Sequence, residues 1–201
     1  MGRSRTSISA VTLLAILGMV SGVLAGAAKT APELRATVRI DNNAGVPAVL
    51  LKFAEARANQ EFAMSGINID WVDRKEAERL QLVAPYTILI MAEAPVSLKA
   101  AMDQIGVDLM GHAAPTVGRA YIYYDRVRKL GSIPPRDTSA TLGDVIAHEL
   151  GHLMLPPGHS NIGIMRHAIN MTTRRLETFT KVEAKEIRER LPRQIAAVEA
   201  R

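Results

Sequence analysis

Residues 34 to 40, Leu-Arg-Ala-Thr-Val-Arg-Ile, alternate apolar and polar side chains with the period of a half-buried strand. Asp41, Asn42, Asn43 and Gly45 supply the turn that follows. From Val46 to Met64 the spacing becomes helical, with Val49, Leu50, Phe53, Ala54, Ala56 and Phe62 set among Lys, Glu, Arg and Gln. Alternation resumes from Ile67 to Trp71, and Tyr86 to Ala92 is a continuous apolar run of the kind found in strands covered on both faces. This succession predicts an α/β sheet whose first two strands are parallel.

Residues 93 to 106 predict a short helical connection. Two further strands are expected at Val107 to Gly111 and Gly118 to Tyr124, separated by a turn over His112-Ala-Ala-Pro115. The segment from Leu130 to Thr138 reads as a loop because of Gly131, Pro134 and Pro135. A wide apolar surface formed by Leu142, Val145, Ile146, Leu150, Leu153 and Met154 predicts a central helix from Leu142 to Leu155. Thr141 with Asp144 would cap it, and Pro156-Pro157 would stop it. A last helix is expected from the capping box Thr180-Lys-Val-Glu183 to Leu191, before Pro192.

The first 27 residues follow a different rule. Arg3 and Arg5 precede an uncharged, mostly apolar stretch from Ile8 to Leu24, and small residues close it at Ala25-Gly26-Ala27, the pattern of a secretory signal peptide. An uncleaved membrane anchor is the alternative, since the stretch from Thr6 to Ala28 reaches the roughly 20 residues a bilayer span needs. Either way the rest, residues 28–201, is expected to be exported, secreted or periplasmic, as a single catalytic domain with a helical C-terminal part from about residue 166.

The chain has 201 residues, 48% hydrophobic and 22% charged, enough for one sizeable core. It has no cysteine, which excludes disulfides, thiol catalysis and Cys-ligated zinc, so a metal must be held by His, Asp or Glu. The formal charge of +5 invites a nucleic-acid reading. That charge is unevenly placed, however: Arg3 and Arg5 lie in the leader, and residues 166–201 carry nine basic against five acidic side chains. With only 4% aromatic residues and no basic run interleaved with them, no nucleic-acid partner is expected. The basic C-terminal helix reads as a solvated surface, with weak association with an anionic membrane or envelope as its functional alternative. The expected species is a monomer.

One cluster carries chemistry. His148-Glu149-Leu150-Gly151-His152 lies on the predicted central helix, and histidines four apart share one helix face, so both imidazoles can approach one metal. Glu149 is offset by about 100° around the axis and can reach a water on that metal without being a ligand. Zn2+ bound there would polarise a carbonyl and lower the pKa of its water to about 7, with Glu149 as general base and then acid. A catalytic zinc takes three protein ligands. His159, past the helix-breaking Pro156-Pro157-Gly158, leads, with His167, His112 and Glu177 as alternatives.

The run His-Glu-Leu-Gly-His, then His159-Ser160, then Ile164-Met165 resembles the metzincin metallopeptidases, in a divergent form similar to matrixin and archaemetzincin catalytic domains. The resemblance implies a zincin fold, a mostly parallel twisted sheet with an active-site helix and a C-terminal helix. It also implies zinc, a peptide or protein substrate, and a methionine turn under the metal at Met165. Asp108-Leu-Met-Gly-His-Ala-Ala-Pro115 is similar to that family's edge strand, implying that substrate lies along Leu109, Met110, Gly111 and His112. Two features depart from the pattern: Leu155 and Gly158 stand where a glycine and the third histidine belong, so His159 arrives one residue late, and no tyrosine follows Met165 to stabilise the oxyanion. The expected activity is that of a secreted zinc endopeptidase. Its rivals are a zinc-binding envelope module without turnover and a hydrolase restricted to cell-wall peptides.

Overall fold

A computed structural model describes residues 34–105, 109–135, 137–168 and 175–200. The leader, Val107, Asp108 and Arg174 lie outside the described residues. The chain runs through β1 (Leu34–Asn42), α1 (Ala48–Ala63), β2 (Ile67–Asp73), α2 (Arg74–Leu80), β3 (Tyr86–Met91), α3 (Val96–Ile105), β4 (Gly111–Ala114), β5 (Arg119–Tyr123), α4 (Tyr124–Gly131), α5 (Thr138–Met154) and α6 (Lys181–Glu199). Among the described residues five strands form one sheet, in the order β2-β1-β3-β5-β4. β1 is parallel to β2 and to β3, β3 is parallel to β5, and only β4 runs antiparallel, at the edge. The α/β architecture and the parallel first pair are as the alternation predicted.

Alternation also decides which face is covered. Ala36, Val38 and Ile40 of β1, Ile88 and Ile90 of β3, and Ala120 and Ile122 of β5 are buried together with Leu142, Ile146 and Leu150 of α5. Each such large aliphatic side chain contributes about 1.5–3 kcal/mol by leaving water. α1 adds Ala54, Ala58 and Phe62 to this core, and α6 adds Ile187 and Leu191. The intervening side chains point to the opposite face, where Tyr123 and Ala94 form a smaller cluster with Met91, Leu98 and Tyr121. Arg57 of α1 pairs with the fully buried Asp144 of α5, tying together the two helices that cover the main core. Arg57 also lies 3.9 Å from Glu61 and donates to the Arg175 carbonyl at 3.1 Å, so it is the hub of a network and not of a single pair.

Several boundaries differ from the sequence reading. Asp137, not Thr141, caps α5: its carboxylate accepts from Ala140 N at 2.8 Å, so the helix starts at Thr138. Thr141 lies inside the helix, its hydroxyl donating to Asp137 O, and Asp144 is taken by Arg57. The fourth strand begins at Gly111 and includes the His112-Ala-Ala segment expected as a turn, because cross-strand pairing of His112 with Tyr121 and Ala113 with Ala120 outweighs the low strand preference of these residues. α6 has the expected capping box but continues past Pro192 to Glu199. Gln194 explains why: it accepts from Tyr86 Oη at 2.7 Å and donates to Leu153 O at 3.1 Å, so tertiary bonds hold the helix where proline removes one of its own. Among the described residues no helix is long and apolar enough to cross a membrane.

Candidate metal centre and cleft

α5 is buried along nearly all its length, and its C-terminal half carries His148, Glu149 and His152 beneath the sheet edge. Its rigid repeat fixes the first two imidazoles, and Leu155-Pro156-Pro157-Gly158 then turns the chain so that His159 comes back to meet them. Gly158 sits at φ 137°, a conformation that favours glycine. The Nε2 atom of His152 lies 3.1 Å from that of His148 and 3.2 Å from that of His159. A tetrahedral ion with nitrogen ligands at 2.0–2.1 Å requires nitrogens about 3.3 Å apart, so the three form one face of such a site. The other candidates are not in this group: among the described residues His148, His152 and His159 form the set that can hold a metal ion. The alternatives His112 and Glu177 stand outside it, and the ring centroid of His167 is 4.9 Å from that of His159.

Each ring is prepared as a neutral ligand. His148 is 9% exposed, and its Nδ1 donates to the carbonyl of Ile164 at 2.8 Å, which turns the Nε2 lone pair inward. Burial lowers the pKa of His148 and, to about 4, that of His152, where the neighbouring His148 and His159 act in the same direction. Burial also lowers that of His159. Glu149 is 5% exposed, and burial pushes its carboxyl up to about 8. Its Oε2 makes no hydrogen bond among the described residues. An orphaned, buried carboxylate oxygen beside three convergent imidazoles fits a cation and its water, which would supply the missing charge and donor.

β4 forms the roof. The amide of Tyr123 donates to Met110 O at 2.8 Å, extending the β4–β5 ladder one residue before Gly111. Because partners alternate along an antiparallel pair, Gly111 and Ala113 turn their amide and carbonyl groups away from β5, toward the open edge. Gly111 also faces Glu149: a Cβ there would stand 2.9 Å from Glu149 Oε1 and 2.8 Å from Tyr121 O. Leu109, Gly111, His148, Glu149, His159 and His167 contribute to a cleft of about 390 Å³ along this edge.

No protein-family model and no curated protein matches the chain. Among solved structures it is similar to a zinc-dependent peptidase from Methanocorpusculum labreanum (strain Z), with a TM-score of 0.51 and 16% identity over 75% of this chain and 99% of that one. It is also similar to archaemetzincin from Methanopyrus kandleri, with a TM-score of 0.53 and 12% identity over 79% of this chain and 96% of that one. The chain has the fold of these zinc peptidases.

Within this zinc-peptidase fold, Met165 is buried under α5, 1% exposed. A Cβ on Gly151 would collide with Met165 Sδ and stand 2.9 Å from Phe179 Cε1, so the absence of a side chain lets the loop approach the helix. Ser160 N donates to Met165 O at 2.9 Å and Ile164 N to Thr178 O at 3.0 Å, which closes the turn. Of the edge residues expected to meet substrate, Gly111 and His112 lie in β4, and Leu109 and Met110 lead into it. The His112 ring stacks on Tyr121 at 4.7 Å, and its Nδ1 is 2.7 Å from Tyr123 Oη. Two supports escaped the sequence reading: the Ile164 carbonyl, a backbone atom with no residue signature, and Tyr123, whose only signal is its aromatic place in a strand.

Proposed function

We propose that this chain is an exported, zinc-dependent endopeptidase of a divergent metzincin-like kind. The observation that carries the reading is the juxtaposition of the unpartnered Glu149 Oε2 with three convergent histidine Nε2 atoms under an open sheet edge.

His148, His152 and His159 would hold the zinc, which when bound polarises the scissile carbonyl and lowers the pKa of a water to about 7. Gly111 and Ala113 offer backbone donors and acceptors to an extended peptide, which adds to the sheet as one more strand. A strand added there would run along the cleft that Glu149 and the three grouped histidines line. Glu149 Oε2 accepts a proton from the water as its oxygen bonds to the carbonyl carbon. The same carboxyl then delivers that proton to the amide nitrogen as the C–N bond breaks, leaving a carboxylic acid, an amine and the Glu149 carboxylate restored. Ile164 keeps His148 in the tautomer that binds metal. Export rests on the leader pattern in residues 1–27, and the basic side chains of α6 suit a weak envelope contact. A monomer suffices, since every group named comes from one chain.

Cleavage of an unfolded protein tests the proposal. The purified full chain should bind about one zinc, cut the substrate, lose activity to a chelator and regain it with zinc. Chelator-resistant cleavage, or none by the zinc-loaded protein, would overturn it.

A further inference from the structure

The proton transfer at Glu149 leaves one requirement of peptide hydrolysis unmet by the residues assigned so far. As water adds, the carbonyl oxygen takes on negative charge, and a hydrogen-bond donor aimed at it is typically worth 10²- to 10³-fold in rate. The residues lining the cleft restrict the choice. Its apolar residues, glycines and prolines bring no side-chain donor; His148, His152 and His159 turn their Nε2 atoms toward one another; and Glu149 is an acceptor when ionised. His112 and His167 remain.

These two differ in what already holds them. His112 stacks on Tyr121 with only 9° between the ring planes, and its Nδ1 is engaged by the hydroxyl of Tyr123. It belongs to the pairing of β4 with β5. His167 is exposed and makes no hydrogen bond among the described residues, yet its ring lies 4.9 Å, centroid to centroid, from that of His159. The backbone leading to it is fixed: Met165 is buried, Ser160 N donates to Met165 O, and Arg166 N donates to Gly163 O at 3.3 Å. An imidazole on a held backbone, beside the most exposed of the three grouped histidines and lining the cleft, has an N–H that no acceptor among the described residues takes.

We propose that His167 is a catalytic residue that donates a hydrogen bond to the scissile carbonyl oxygen as it becomes negative. This rests on the zinc-peptidase reading. The neutral ring already has one N–H, so the role needs no change of protonation. An amide side chain of similar reach can replace it in part.

The test compares zinc-loaded full-length wild type with His167→Ala and His167→Gln. Three quantities are read: kcat and KM on a fluorogenic peptide, zinc content, and calorimetric affinity for a phosphinic peptide whose tetrahedral, anionic phosphorus group mimics the charged stage of the reaction. His167→Ala should lower kcat about 100-fold with KM within about 2-fold. Its zinc content should equal that of wild type, its affinity for the phosphinic peptide should fall in step with kcat, and His167→Gln should recover at least about tenfold of the loss. Unchanged kcat and phosphinic affinity in His167→Ala would overturn the inference and leave the peptidase reading standing. So would a loss confined to KM, or one explained by lost zinc. A wild type that holds zinc but neither cleaves nor binds the phosphinic peptide would overturn both.

Discussion

The metal centre is assembled from two pieces of chain built on opposite principles. α5 sets the spacing of His148, Glu149 and His152 by helical repeat, inside a buried, capped element. The segment from Leu155 to Ala168 has no repeat and places His159 and His167 through two prolines, two glycines at positive φ and a few backbone bonds. The two are nevertheless locked together, because the loop's Ile164 carbonyl orients the helix's His148 and the loop's Met165 packs on the helix's Gly151. The rigid piece thus supplies the proposed base and two of the three grouped histidines, and the adaptable piece the exposed third.

The largest effect that separates the two pieces should come from deleting ligands. His152→Ala should weaken zinc more than about 100-fold and abolish cleavage, since loss of a mere orienting partner already costs 10–100-fold. His159→Ala should also abolish cleavage but retain more zinc, because two helical imidazoles keep their spacing without the loop. Zinc titration of both variants checks the order, and equal retention would mean that the helix has no special rigidity.

Next is the joint between the pieces. Gly151→Ala drives a methyl into Met165 Sδ and toward Phe179, and overpacking of this kind costs about 1–3 kcal/mol. Denaturant unfolding of the chelator-treated variant should show the loss, with weaker zinc binding because Met165 and the His159 turn shift together. Unaltered stability would show that the loop yields freely.

The pH dependence of the chelator-treated protein gives a finer comparison. The folded histidines are held below their ordinary 6.5, His152 at about 4. Between those values the unfolded chain takes up protons that the folded rings refuse, so stability falls as pH drops from about 6.5 toward 4. His152→Asn should flatten this acid limb more than His159→Asn, whose parent ring is exposed. Glu149 acts oppositely: with its carboxyl at about 8 instead of 4.5, the fold keeps a proton that the unfolded chain has released, so stability is lost as pH rises from about 4.5 to 8. Chelator-treated Glu149→Gln should therefore be more stable than wild type at pH 8. Urea midpoints across this range check both signs.

The smallest effect belongs outside both pieces. Arg35 and Asp70 pair across β1 and β2 with side chains 56% and 42% exposed, so Asp70→Asn should change stability by no more than about 0.5 kcal/mol and leave zinc binding untouched. Thermal melts and zinc titration of that variant serve as the control.

The same contrast explains what the sequence made legible. α5 was readable because its apolar period is wide and two histidines and a glutamate sit on it in a chemically meaningful spacing. β1, β2 and β3 were readable from alternation or a continuous apolar run. α2 and α4 were not: at 7 and 8 residues they are shorter than the stretch over which a helical period stands out, and they bury only Ala77 in one and Val127 and Gly131 in the other. Gly-His-Ala-Ala has the composition of a turn and becomes β4 only because β5 supplies the partner. The meeting of His159 with the helix depends on the path of Pro157-Gly158, and the support of His148 on a carbonyl, neither of which residue identity reveals.

The central claim is that Glu149, among three histidine ligands, moves the proton of peptide hydrolysis. Cleavage of an unfolded protein by wild type and Glu149→Gln, compared at equal measured zinc content, tests it most directly. The account predicts that the variant retains its zinc and loses about 10²- to 10⁴-fold in kcat. Undiminished cleavage by the zinc-loaded variant would contradict it.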